Sequence, residues 1–292
     1  MTRTGNSVVV GVDGSASSMG AVRWGALECA RQGGSVLRLV HAYLMPAKVA
    51  PTVLAVGSRI PGAIEAQGRR WLAEARAAAG DAAPDVTVET ELVLGAAVPV
   101  LARESEGAGM IVLGSRGLGG FARLLAGSTA LGTSTCAECP VVVVRGESTE
   151  DGPIVVGVDG SVAGEAAAGF AFEAAAAQGA PLVAVIAWTD YLEPALHGRT
   201  WPRAEWSRVE EAELRVLDQS LARWREKFPD VRVERVVTED PPVRSLLHQA
   251  RKARLLVVGS RGHGALAGML LGSTSQALAH HSPCPLAVVR PR

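Results

Sequence analysis

Aromatic side chains make up only 4% of the 292 residues, although 48% are hydrophobic, so the apolar weight falls on Ala and Val. That palette suits helices packed on both faces of a buried parallel sheet and argues against an all-β core. An excess charge of either sign is also missing, since 29 basic residues balance 29 acidic ones. Without a basic footprint, neither nucleic acid nor an anionic membrane surface is an expected partner. No apolar run approaches the roughly 20 residues that span a bilayer, and Met1 to Ser7 carries no apolar signal core, so no membrane insertion and a cytoplasmic location are expected. The cysteines, Cys29, Cys136, Cys139 and Cys284, are too few for a disulfide framework in a chain this long and are expected as thiols. Two phosphate motifs are missing: there is no G-x-x-x-x-G-K-[S/T], and no G-x-G-x-x-G follows the first strand. A nucleotide, if bound, would be held by backbone amides and not by a lysine.

What the chain has is itself, twice. Val9-Val10-Gly11-Val12-Asp13-Gly14-Ser15 returns as Val155-Val156-Gly157-Val158-Asp159-Gly160-Ser161, and Val112-Leu113-Gly114-Ser115-Arg116-Gly117 returns as Val257-Val258-Gly259-Ser260-Arg261-Gly262. Gly127-Ser128-Thr129 matches Gly272-Ser273-Thr274, and Cys139-Pro140 matches Cys284-Pro285. Order and spacing are kept, so two copies of one unit are expected, residues 1–146 and 153–292, joined by the polar stretch Gly146 to Pro153.

Within the first copy, short apolar runs alternate with Ala-rich stretches of helical period. Strands are expected at Ser7 to Val12, Val36 to His41, Val86 to Leu92, Met110 to Leu113 and Val141 to Arg145. Helices are expected near Ser18 to Arg31, Pro61 to Ala79, Ala97 to Glu106 and Ser128 to Cys136. The second copy repeats the steps from Ile154, Leu182, Val231, Leu255 and Leu286. Right-handed crossovers then give an α/β fold of two tandem Rossmann-like domains, each a five-stranded parallel sheet in the order 3-2-1-4-5 with helices on both faces. The stretch from Tyr43 to Ile60 lacks a period and reads as a loop or lid.

Ligands of such sheets bind beyond the carboxyl ends of the strands, where the winding reverses. Two turns mark that place: the one after strand 1 with Asp13, and the one after strand 4 with Gly114 and Gly117. Unencumbered amides at these glycines can approach an oxyanion. Nine residues on, Gly127-Ser128-Thr129 opens a helix, where free N–H groups and the dipole suit phosphate. Either feature alone also fits a tight turn or a simple N-cap; the whole string G-x-x-G-x9-G-S-T, present twice with an Asp on the partner turn, is the specific signal.

This combination resembles the ATP-binding universal stress proteins, over nearly the whole chain and in both copies. The resemblance implies ATP across each crevice. Asp13 would contact its ribose or adenine end and Val40 would lie against adenine. Gly114, Gly117, Gly127, Ser128 and Thr129 would surround the phosphates, with Mg²⁺. The matching positions are Asp159, Val185, Gly259, Gly262, Gly272, Ser273 and Thr274. Val40 and Val185 fit a plain core strand equally well. Arg116 and Arg261 either neutralise phosphate or make surface ion pairs. The resemblance also implies a stress-response signalling module with a homo-oligomeric state and a protein partner still to be identified.

The copies differ after strand 3, where Leu94-Gly95-Ala96-Ala97 stands against Thr238-Glu239-Asp240-Pro241, and after the second loop glycine, where Leu118 stands against His263. Carboxylates near a triphosphate would weaken the second site unless a metal intervenes. Cys136-Ala137-Glu138-Cys139 has redox spacing but ends a helix instead of starting one. His280-His281 reads as a cationic cap on the last helix. Trp201, Trp206 and Trp224 read as the buried stripe of the long charged helix in the second copy. The competing function is a slow ATPase or phosphotransferase. Against it stands the lack of a Walker lysine and of a catalytic Asp-Asn pair. A flavin domain of related architecture finds no support in these loops.

Overall fold

The computed structural model describes residues 7–33, 35–45, 60–117, 127–146, 149, 151–188, 203–262 and 271–291. It divides into two compact units, Met1–Val144 and Arg145–Arg292.

Unit 1 runs β1 (Ser7–Gly11), α1 (Ala16–Gln32), β2 (Val36–Tyr43), α2 (Ile60–Ala82), β3 (Val88–Leu94), α3 (Ala97–Ser105), β4 (Met110–Gly114), α4 (Ser128–Cys136) and β5 (Val141–Val144). All pairings are parallel, in the order β3-β2-β1-β4-β5 that the sequence predicts. Val8, Val9 and Val10 on β1 and Ile111 and Val112 on β4 are fully buried, because helices cover both faces of the central strands. The chain goes from β1 out to β2 on one side and from β4 out to β5 on the other. Right-handed crossovers therefore put α1 with α2 on one face and α3 with α4 on the opposite one. The carboxyl ends of β1 and β4, neighbours in register from Val8↔Met110 to Val10↔Val112, part to form a crevice. At the free edge, β3 exposes Glu89 and Glu91, whose carboxylates meet Arg38 of β2 at 3.7 and 2.7 Å. Charges of this kind discourage further strand pairing.

Unit 2 repeats the plan with β6 (Ile154–Gly157), α5 (Val162–Gln178), β7 (Leu182–Ala187), α6 (Arg203–Lys227), β8 (Val233–Thr238), α7 (Pro242–Ala250), β9 (Leu255–Gly259), α8 (Ser273–His281) and β10 (Leu286–Val289). Its parallel order is β8-β7-β6-β9-β10, the same winding. Trp224 of α6 packs against Gly169 of α5, with Arg223 and Lys227 over its ring at 4.5 and 5.4 Å. Trp201 and the side chain of Trp206 lie outside the described residues, as do 46–59 of the expected lid, Leu118 and His263.

The third strand starts two residues later than expected in unit 1, at Val88. The Val86 N–H donates back to the Ala83 carbonyl at 3.2 Å and so closes the turn after α2. Val231 does the same in unit 2, donating to the Phe228 carbonyl at 3.2 Å, and β8 begins at Val233. At the end of α8, where His280 and His281 form the basic last turn, Arg145 Nη1 also donates to the Ala279 carbonyl at 2.5 Å. Burial, with His281 and Arg145 adding, pushes the His280 pKa down, and the guanidinium adds a positive group at this helix end.

Candidate functional site

The crevice of unit 1 begins with how α1 starts. Ser15 is its N-cap, and its hydroxyl accepts the Ser18 N–H at 3.1 Å. The same hydroxyl donates to Asp13 Oδ1 at 2.6 Å, and the Ser15 N–H reaches that oxygen at 3.0 Å. With Oδ1 so engaged, Oδ2 rests against the α-carbon of Gly117 on the facing loop. From β4, Arg116 answers: its carbonyl lies 3.3 Å from the Ser15 hydroxyl and its N–H donates to Ser17 Oγ at 3.2 Å. Two turns about 100 positions apart in sequence are thereby laced together.

Between them lies a cavity of about 420 Å³, a size typical of sites that take small molecules. Every residue singled out in the first copy lines it: Asp13, Val40, Gly114, Arg116, Gly117, Gly127, Ser128 and Thr129. Val40 is both core and wall. It is 2% exposed, and its carbonyl accepts the Val12 N–H at 2.9 Å. Sequence reasoning missed the rest of the apolar wall, Ala42, Ala97, Leu101, Leu113 and Ala130, which comes from elements that only the fold brings together. The cavity is apolar toward β2 and α3 and polar toward α4.

The polar end is distinctive in its capping. α4 starts at Gly127, which supplies no side-chain cap, so the first N–H groups of the helix have no side-chain acceptor from that position. They form the positive end of the helix dipole and face the cavity wall formed by Ser128 and Thr129. Arg116 is exposed at the rim of the cavity.

Unit 2 builds the same corner. Ser161 caps α5, accepting the Gly164 N–H at 3.0 Å, while Asp159 Oδ1 takes the Ser161 N–H at 3.0 Å and its hydroxyl at 2.5 Å. Asp159 Oδ2 lies against the α-carbon of Gly262. Val185 is buried on β7, and its carbonyl accepts the Val158 N–H at 2.9 Å. Gly259 ends β9, and Arg261 is exposed with no ion-pair partner among the described residues. Gly272 starts α8 with no side-chain cap, and Ser273 and Thr274 form its first turn. Asp240 faces Arg244 of α7 at 3.5 Å. A separate cavity of about 490 Å³ lies near the ends of α5 and α6, walled by Phe228, Lys227, Asp230 and Arg232, and includes none of the predicted residues.

The cysteine pair set aside by the sequence stays outside the cavity of unit 1. Cys136 is exposed at the end of α4 and Cys139 is buried, and among the described residues no cysteine is in a disulfide. Among the described residues no helix is long and apolar enough to cross a membrane.

Comparison with known proteins matches both copies. The model of the "Universal stress protein family" covers residues 6–145 and 152–290. A universal stress protein of Mycolicibacterium smegmatis is 37% identical over 297 residues, covering 98% of this chain and 97% of its own. Another, of Mycobacterium tuberculosis, is 38% identical over 300 residues, covering 99% of this chain and 98% of its own. Among solved structures, a universal stress protein from Archaeoglobus fulgidus superposes with a TM-score of 0.72 at 20% identity, covering 100% of both chains.

Proposed function

The chain belongs to the universal stress protein family, and from that premise we propose that each crevice binds ATP and that the protein is a nucleotide-dependent stress-response module. The observation that carries this reading is the cavity between the β1 and β4 turns of unit 1, in which all the residues of the phosphate string and its partner Asp13 converge on a helix start left without a side-chain cap. An apolar wall suited to a base stands at one end and an anion-seeking helix terminus at the other. Adenine would lie toward Val40 and the triphosphate toward Gly117, Ser128 and Thr129, with Arg116 at the rim; the second copy uses Asp159, Val185, Gly259, Arg261, Gly262, Gly272, Ser273 and Thr274.

Mg²⁺ would enter with the triphosphate. Among the described residues no group of three His, Cys, Asp or Glu side chains gathers to hold a metal. Phosphate oxygens would therefore supply much of the coordination, with Asp13 as the neighbouring carboxylate. Binding, not turnover, is the role: ATP ordering the loops would change a surface read by a protein partner, in a cytoplasmic homo-oligomer.

The test is mass spectrometry of ligand released from the purified protein, joined to calorimetry with ATP and Mg²⁺. Released adenine nucleotide and a saturable heat are expected. Neither nucleotide nor heat would defeat the proposal, and sustained turnover of several per second, within the ordinary enzyme range, would replace it with the ATPase alternative.

A further inference from the structure

Aligning the copies on Ser15 with Ser161 and Gly127 with Gly272 pairs Ser17 with Ala163 and Ala130 with Ser275. Much of the surrounding backbone is tied alike. The Ser115 N–H donates to the Val144 carbonyl at 3.1 Å and the Ser260 N–H to that of Val289 at 2.7 Å; Gly127 and Gly272 donate to the Ser115 and Ser260 carbonyls at 2.8 Å each. The side-chain ties differ. In unit 1 the Ser17 hydroxyl accepts the Arg116 N–H at 3.2 Å and lies 3.5 Å from the Ser115 hydroxyl. Ala163 has no hydroxyl to offer Arg261, and the Ser260 hydroxyl, in a residue 1% exposed, has no partner among the described residues. Unit 2 ties its loop to the other helix instead, through Ser275 Oγ donating to the Gly259 carbonyl at 2.6 Å, where unit 1 has Ala130 in the cavity wall.

We propose that Ser17 is an internal competitor for the Arg116 amide, so that the crevice of unit 2 takes an anionic ligand more tightly than that of unit 1. This rests on reading the crevices as nucleotide sites. A phosphate that draws on the Arg116 N–H must first displace a neutral acceptor, a bond worth about 1 kcal/mol net. At Arg261 no serine at position 163 stands in the way. The Ser275 tie acts in the same direction, because it fixes the start of α8 against the loop before any ligand arrives and lowers the ordering cost of binding. Of the two carboxylates that would oppose phosphate in unit 2, Asp240 is half-exposed and faces Arg244, which answers much of its field locally, and Glu239 is exposed, where solvent and salt screen it.

The experiment is a site-resolved titration of the isotope-labelled full chain with ATP and Mg²⁺, following the Gly117 and Gly262 amides by NMR. In the unaltered protein Gly262 should saturate at lower ATP than Gly117. Ser17→Ala should tighten binding at Gly117 by about threefold to tenfold, the value of the displaced bond, while lowering the unfolding temperature. Ala163→Ser should move Gly262 to higher ATP and protect the Arg261 amide from exchange. A purely structural Ser17 would lose stability and affinity together. If both glycines titrate and Ser17→Ala leaves Gly117 unchanged or weaker, the competitor is overturned. If neither glycine moves in any variant, the nucleotide reading itself is overturned.

Discussion

The carboxylate of Asp13 rests so closely on the α-carbon of Gly117 that a methyl group there would sit 2.5 Å from Oδ2. Asp159 and Gly262 repeat the contact. An alanine at either glycine must push the carboxylate or the loop aside, and Asp13 is already held from behind by Ser15. Gly117→Ala is therefore expected to weaken ATP binding in unit 1 by about tenfold, or about 1.4 kcal/mol, with Gly262→Ala doing the same in unit 2. Calorimetry on each variant checks this; unchanged affinity in both would remove the glycine turns from the site.

Ser15 serves α1 and Asp13 together. Ser15→Ala removes the helix cap, at a cost of about 1 kcal/mol, and frees Asp13 Oδ1 of both the hydroxyl and part of its register. Urea denaturation should show the stability loss, and nucleotide affinity should fall with it. Ser15→Thr, which keeps the hydroxyl, should recover both.

His41 works behind the crevice. Its Nδ1–H donates to the Val12 carbonyl at 2.6 Å, and its buried ring meets Trp71 edge-on at 5.2 Å. Unit 2 has Ile186 at the matching place. His41→Ile keeps the volume and orphans the carbonyl, so a loss of about 1–3 kcal/mol is expected. His41→Ala adds a cavity and should cost more. Equal stability for the wild type and the isoleucine variant would show that this bond contributes nothing.

Thiol chemistry gives a pH prediction. Burial, with Glu28 adding, pushes the Cys29 pKa from 9.0 up to about 12, and burial pushes Cys284 to about 11. In the unfolded chain both ionise near pH 9 while the folded protein keeps them protonated. The unfolded state thus sheds protons first. Stability should be unaffected by these groups below about pH 9 and fall as pH rises above it. Denaturant midpoints measured from pH 8 to 10.5 check the trend, and a Cys29→Ser variant should flatten it. In native protein near neutral pH, a thiol reagent should label Cys136, the exposed cysteine, well before Cys29, Cys139 or Cys284.

The winding order and the positions of the crevice residues were readable because they depend on local punctuation: Val-Asp-Gly-Ser, the loop glycines and Gly-Ser-Thr occur twice in the same order. The exact start of β3 was not, since the alternation of an edge strand continues through Thr87 and Val86 although Val86 turns back toward Ala83. Nor were Ser17 and His41. Their roles come from partners 99 and 29 positions away, Arg116 and Val12, and no periodicity reports such pairings. Gly14 could be read as a turn, but only the fold shows Trp71 packed where its side chain would stand, at a φ of +80°.

Two kinds of helix start stand at the turns that form the crevices. Serines cap α1 and α5, while the glycines at α4 and α8 supply no side-chain cap. An anion docked there would complete the architecture as well as occupy it, and would become part of what keeps the chain folded. The chain's survival against proteases should then track the supply of that anion. Proteolytic half-life measured with and without ATP and Mg²⁺ should lengthen in their presence.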